Sequence, residues 1–134
     1  VRKYIKKGIH KMKLLDEIEM SWWAYEQCYI GNDTPEMRYL ITDSWDAYLY
    51  CRNIKDRKEI RVKITNSYYA YCYCRDVKDR PELWSKITSS DDVYRYCKFV
   101  KDRKEIWIKI TDSVAAFRYC EDVKDRPEVR KFKK

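Results

Sequence analysis

A chain of 134 residues with 45% hydrophobic and 16% aromatic side chains is too apolar for a disordered segment, and its 2 Gly and 3 Pro supply too few turn formers for a loop-rich or all-β domain. Its net charge of +8 is not one basic face: residues 1–17 carry +4, Lys133-Lys134 add +2, and the long stretch between them carries only +2, a weak pointer to polyanions. A run of about 18 apolar residues, as a membrane span needs, is missing, and Gly8-Ile9-His10-Lys11-Met12-Lys13 interrupts any signal-peptide core, so the sequence reads as a soluble, cytoplasmic protein with no membrane partner.

In residues 1–17 Tyr4, Ile5, Ile9, Met12 and Leu15 approximate a helical stripe between lysines, which predicts an N-terminal capping helix. His10 lies in this segment with no carboxylate or nucleophile motif beside it and reads as a surface or packing histidine. From residue 18 a motif of 23 residues is written five times without a gap, as 18–40, 41–63, 64–86, 87–109 and 110–132. Its opening is clearest at Ile41-Thr42-Asp43-Ser44, Ile64-Thr65-Asn66-Ser67, Ile87-Thr88-Ser89-Ser90 and Ile110-Thr111-Asp112-Ser113; Ile18-Glu19-Met20-Ser21 is a worn first copy. A fixed period of this size is the signature of a solenoid. The expected fold is therefore all-α, one domain over residues 1–134, a solenoid of five 23-residue helix-turn-helix repeats behind an N-terminal capping helix.

The second copy shows how each repeat folds. Asp43 or Ser44 can accept from the free N–H groups of a first turn, and Ala47, Tyr50, Cys51 and Ile54 then fall on one helical face, widened by Tyr48. Lys55 ends this helix of about eleven residues without a glycine. Asp56…Glu59 has the spacing of a capping box and recurs as Asp33…Glu36, Asp79…Glu82, Asp102…Glu105 and Asp125…Glu128, which predicts a second helix of about seven residues. Pro35, Pro81 and Pro127 suit its first turn, and Ile60, Val62 and Ile64 its apolar side. The expected core columns are the Ile that opens each block, Ala/Val at position 7, Tyr/Phe at 8, Cys at 11, and Val/Ile at 14 and 20. Gly31 breaks position 14 of the first copy and predicts a distorted turn, while Arg130-Lys131-Phe132-Lys133-Lys134 is a polar finish suited to a terminal cap.

Cys28, Cys51, Cys74, Cys97 and Cys120 all occupy position 11, and Cys72 is the one extra. Equivalent positions on packed helices lie about 9–10 Å apart, beyond the roughly 7 Å that a disulfide spans, so the column reads as small buried apolar side chains. Metal would need several ligands converging on a point, and no metal or other cofactor is expected.

A catalytic constellation is missing: there is no Gly-rich phosphate loop and no nucleophile beside a histidine, and Asp91-Asp92 and Glu121-Asp122 are helical neighbours that do not face each other. The chain reads as a non-enzyme, and two candidate binding stripes remain. One combines Tyr48, Tyr71 and Tyr94 with Arg52, Arg75 and Lys98, flanked by turn ladders Lys55/Arg57, Lys78/Arg80, Lys101/Arg103 and Lys124/Arg126, an arrangement able to hold single-stranded nucleic acid or an acidic protein. The competing reading puts these tyrosines in the core and pairs the bases with Asp56, Asp79 and Asp102 of neighbouring repeats. The other stripe holds Trp22, Trp23, Trp45, Tyr68 and Tyr69, with Ile30, Leu49 and Phe99 on the face expected to point outward, and resembles a protein-binding hot spot. Packing beneath the capping helix competes with it and would claim Trp22 or Trp23 first.

The segment Ala70-Tyr71-Cys72-Tyr73-Cys74-Arg75-Asp76-Val77-Lys78-Asp79-Arg80-Pro81-Glu82 resembles short helical repeats of bacteriophage and bacterial proteins of unassigned function. Those carry a pattern like Ala-Tyr-x-Tyr-Ala-x-x-Val, a basic turn and Pro-Glu; here cysteine replaces the usual alanine and aspartate the usual glycine. The resemblance spans residues 18–132 and implies a helical array with a phage accessory role, without assigned functional residues. The functional expectation is a protein that binds another protein, with inhibition of a host defence or metabolic protein in the host cytoplasm as one version. Nucleic acid is the alternative partner, and the oligomeric state is not readable from the sequence.

Overall fold

The computed structural model describes residues 16–134, which form ten helices and no strand, two helices to each repeat. The described residues are thus an all-α repeat array, as the 23-residue period implies. The capping helix expected over residues 1–17, with His10, lies outside the described residues except for Asp16 and Glu17, which open the first helix. Five long helices, α1 (Glu17–Tyr29), α3 (Ser44–Asn53), α5 (Ser67–Asp76), α7 (Ser90–Phe99) and α9 (Ser113–Asp122), alternate with five short ones, α2 (Pro35–Leu40), α4 (Lys58–Arg61), α6 (Pro81–Trp84), α8 (Lys104–Trp107) and α10 (Pro127–Arg130).

The chain divides into two compact units, one ending at Ile64 and one running from Thr65 to Lys134. In the first, α1 packs on α2 and α3, and α3 on α4. In the second, α7 packs between α5 and α9, and each of these carries its own short helix, α6, α8 or α10. A four-residue helix has too few hydrogen bonds to form alone; these are anchored at position 20, where Ile60, Leu83, Ile106 and Val129 are fully or almost fully buried, and α8 buries Trp107 as well.

Position 7 brings Ala24, Ala47, Ala70, Val93 and Ala116 to zero exposure, the small side chains that let neighbouring long helices approach. Ile41, Ile64, Ile87 and Ile110 open their repeats as core residues, but Ile18 is exposed. The reason is helix register: α1 begins at Glu17, so Ile18 stands on a helix, whereas the other four lie in the turn before one. Val62 also departs from the expected core and faces solvent, because the short helix ends at Arg61 and its last turn rotates this side chain outward. Phe117 is 53% exposed where its equivalents Tyr48, Tyr71 and Tyr94 are buried. Tyr25 and Tyr94 are met by the following repeat, through Asn53 and Asp122, and no long helix follows α9 among the described residues.

The helix ends follow two rules. In α1, Gly31 at φ +119° lets Asn32 N–H reach the Gln27 carbonyl and Gly31 N–H the Cys28 carbonyl, a glycine-dependent Schellman ending. The other long helices lack the glycine and end on a doubly used tyrosine carbonyl: Tyr50 O accepts from Ile54 N and Lys55 N, and Tyr73, Tyr96 and Tyr119 repeat the pattern. At the N-termini Asp43, Asn66 and Asp112 cap through their side chains, but the capping-box reading of the short helices does not hold. Their N-caps are Thr34 and then Arg57, Arg80, Arg103 and Arg126, and these arginines make no capping bond. The preceding aspartates are drawn elsewhere: Asp33, Asp79 and Asp102 into the rungs described next, Asp56 onto Arg61 and Asp125 onto Arg130.

Candidate protein interface

The last four long helices, α3, α5, α7 and α9, carry a tyrosine at position 10, and Tyr50, Tyr73, Tyr96 and Tyr119 are fully buried. A buried phenol needs partners for its oxygen. Tyr96 Oη donates to Asp79 Oδ1 of the preceding repeat at 2.7 Å and accepts from Arg103 Nε of its own repeat at 2.9 Å; Arg103 Nη2 closes the triangle on Asp79 Oδ2 at 2.9 Å. Tyr119 repeats this with Asp102 and Arg126 at 2.7 Å for each of the three bonds. In the first unit Tyr50 donates to Asp33 and accepts from Arg57 Nε at 2.7 Å, while Arg57 Nη2 lies 3.8 Å from Asp33.

Burial works against ionisation of Asp79, but hydrogen bonds from Trp84, Tyr96 and Arg103 outweigh it and hold the carboxyl below the usual range. Asp33 is lowered in the same way, burial being overcome by Arg38, Tyr50 and Arg57. The cysteine column lies against the same aspartates. Burial first, then the neighbouring Asp33 charge, pushes Cys28 to about 11. Burial pushes Cys51, Cys74 and Cys97 to about 12, with Asp56, Asp79 and Asp102 adding to it. All six thiols are free; five are buried and Cys120 is half-buried. Thiols at such values are protonated and poor nucleophiles at neutral pH.

Two further columns tie repeats together. Ser21 Oγ accepts from Thr42 N and Asp43 N, and Ser67 Oγ from Thr88 N and Ser89 N, so each serine caps the next repeat rather than its own helix. Lys63 Nζ donates to the Arg38 and Ile41 carbonyls at 2.9 and 2.6 Å, and Lys109 Nζ to those of Trp84 and Ile87 at 2.6 and 3.1 Å, adding a donor at the end of the preceding short helix, where Arg38 O and Trp84 O also accept from Ile41 N and Ile87 N. Burial lowers the pKa of both lysines.

Against this frame the candidate polyanion residues divide. Tyr48, Tyr71 and Tyr94 are core, with Arg52, Arg75 and Lys98 resting over their rings at 5.3, 5.2 and 5.7 Å. Arg75 is also paired with Asp76, and Lys98 with Asp122. Arg57 and Arg103 belong to the tyrosine rungs, and Arg80 Nε bonds Tyr73 Oη at 2.7 Å. Lys55, Lys78, Lys101 and Lys124 stand exposed at position 15.

The candidate protein-binding residues fall on both units. In the first, Trp22 (42% exposed) and Trp45 (39%) occupy position 5 of the adjacent helices α1 and α3, and Trp23 is half-buried. Leu49 does not point outward: it is only 5% exposed, because position 9 turns toward the neighbouring repeat. Trp22 continues into a column of rings, with Tyr25 at 5.4 Å and Tyr29 a further 6.1 Å on. In the second unit Tyr68 is exposed and meets half-buried Tyr69 edge-on at 5.7 Å, while Arg95 of the next repeat lies over the Tyr68 ring at 5.6 Å. Phe99 is exposed near the far end of α7, eight positions further along the repeat, so it does not join Tyr68 in one stripe.

The tyrosine, serine and lysine columns are what sequence reasoning missed. Their signal is a pattern of co-occurrence. Aspartate stands at position 16 of all five repeats, but tyrosine at 10 and arginine at 17 only in the last four, where repeat 1 has Gln27 and Thr34. That offset is what a bond from each aspartate to the following repeat requires. Among the described residues no group of three or more His, Cys, Asp or Glu forms a metal cage, and no helix is long and apolar enough to cross a membrane. Comparison of the chain with protein-family models, with curated proteins and with solved structures finds no match.

Proposed function

We propose that this protein is a non-enzymatic helical-repeat protein that acts by binding another protein, and, following its resemblance to phage repeats, that it inhibits a host protein in the host cytoplasm. One observation carries the reading: the turn arginines are spent inward on buried tyrosines and aspartates, while Trp22 and Trp45 are held out on neighbouring helices. Exposed tryptophans on a rigid scaffold are the residues that dominate protein interfaces. Affinity capture from a bacterial host lysate, run with and without nuclease, tests it. One stoichiometric protein is expected in both arms and is lost with Trp22→Ala/Trp45→Ala; capture that vanishes with nuclease would refute the reading.

The exposed lysines at position 15 favour a second reading, nucleic-acid binding. It requires affinity for an arbitrary single-stranded oligonucleotide to fall steeply with salt, with a slope that Lys78→Gln/Lys101→Gln/Lys124→Gln flattens.

A further inference from the structure

The rung aspartates of the two units have different neighbours at position 21. In repeat 3 that position is Trp84, whose Nε1 donates to Asp79 Oδ1 at 2.8 Å while Arg103 lies over its ring at 4.5 Å. Trp107 takes the position in repeat 4, is buried, and lies under Arg126. In repeat 1 the position is Arg38, whose Nη1 makes the equivalent bond to Asp33 Oδ1 at 3.0 Å. A guanidinium on a slim stem keeps the hydrogen bond and gives up the volume of a bicyclic ring.

A hollow of about 340 Å³ lies beside Arg38, lined also by Pro35 and Tyr39 of α2, Glu59 of α4 and Lys63, a size within the range of small-ligand pockets. Helix α2 runs six residues where the equivalent short helices run four, and the extra length holds Tyr39 out at 72% exposure. Exposed Pro35, four positions earlier, shares its face. Lys63 brings no free donor, since its ammonium bonds the carbonyls of Arg38, Tyr39 and Ile41. Glu59 brings an acceptor. It is exposed, and Arg38 Nε and Arg57 Nη1 stand 3.6 and 3.9 Å from its Oε1, close enough to fix its place and too far for hydrogen bonds.

We infer that this hollow takes an indole side chain of the partner protein, its ring resting against Pro35 and Tyr39 and its N–H donated to Glu59. Repeat 3 is the internal precedent: there the chain's own tryptophan combines an apolar seat, a carboxylate for the N–H and an arginine alongside. Assigning the indole to a partner rests on the protein-binding reading above; the hollow itself is testable with peptides alone.

The isotope-labelled full chain is titrated with three blocked peptides that differ at one central residue among glycines and serines, followed by NMR. That residue is tryptophan, benzothienylalanine (the same shape with sulfur in place of the N–H) or leucine. The tryptophan peptide is expected to bind about tenfold more tightly than the benzothienylalanine peptide, the worth of a hydrogen bond to a charged acceptor, and to shift the amides of Tyr39, Glu59 and Lys63. Glu59→Ala should remove that preference, and Tyr39→Ala should weaken both ring-bearing peptides. Both positions are exposed, so unchanged urea midpoints should show native folding. Equal binding of the two ring peptides, a preference that survives Glu59→Ala, shifts confined to the surroundings of Trp22 and Trp45, or no binding at all overturns the inference. Such a failure empties the hollow and leaves the protein-binding role standing, whereas nuclease-sensitive capture strikes at that role and leaves peptide binding untouched.

Discussion

Replacing Tyr96 by Phe removes one oxygen from the fully buried centre of a rung and keeps the ring that fills the space. The lost bonds are a donation to Asp79 at 2.7 Å and an acceptance from Arg103 at 2.9 Å, both assisted by charge. Such bonds contribute about 1.5–3 kcal/mol net. Asp79 keeps Trp84 Nε1 at 2.8 Å and Arg103 Nη2 at 2.9 Å, so no charge is orphaned and the two losses do not add in full. The expected cost is about 2–3 kcal/mol, or a fall in Tm of roughly 10 °C for a domain of this size. Urea denaturation should move the midpoint without changing the slope. Tyr39→Phe, on an exposed ring, is the control and should shift nothing. A double-mutant cycle of Tyr96→Phe with Asp79→Asn should give a coupling of about 1 kcal/mol or more. A cost for Tyr96→Phe below about 0.5 kcal/mol would refute the reasoning, because the hydroxyl would then be incidental to a ring that merely fills volume.

Acid should loosen the rungs: Asp33 and Asp79 have folded-state values below their unfolded ones, so their contribution is complete above the unfolded value and disappears as pH falls through the folded one. Denaturant midpoints between about pH 6 and pH 2 check this, and Asp79→Asn should flatten the curve. Alkali works through the thiols, since Cys51, Cys74 and Cys97 are raised to about 12; their stabilisation is full below the unfolded value near 9 and is lost as pH climbs toward the folded one. At neutral pH a thiol reagent should label half-buried Cys120 ahead of the five buried cysteines, and uniform labelling of all six in native protein would contradict the buried column. Lys109→Met should cost about 1–2 kcal/mol by removing the ammonium's bonds to the Trp84 and Ile87 carbonyls, measured by urea melts, with no loss expected for exposed Lys124→Met.

How much of this was legible in the sequence depended on whether a residue's role was settled inside its own repeat. The period, the two helices of each repeat and the buried alanines and cysteines follow from spacing, because a helical face is a local property. The short second helices were overestimated at about seven residues where four are helical in the last four repeats, since propensity and a capping-box spacing say nothing of a carboxylate claimed by another repeat. Leu49 and Phe117 went the opposite way from expectation for a related reason: whether position 8 or 9 is buried is decided by the helix that lies over it.

The amino-acid sequence by itself determined the repeat, its helical content and the interior placement of positions 7, 11 and 20, because periodicity in apolar side chains dictates which face of each helix must leave water. Only the tertiary structure decided where the polar atoms go. Asp79 reaches Tyr96 and Arg103 across 17 and 24 residues, and Ser67 caps an N-terminus 21 residues away. Hydrogen bonds are directional and of short range, so a partner more than a full helix away in sequence is selected by the packing geometry and not by local pattern.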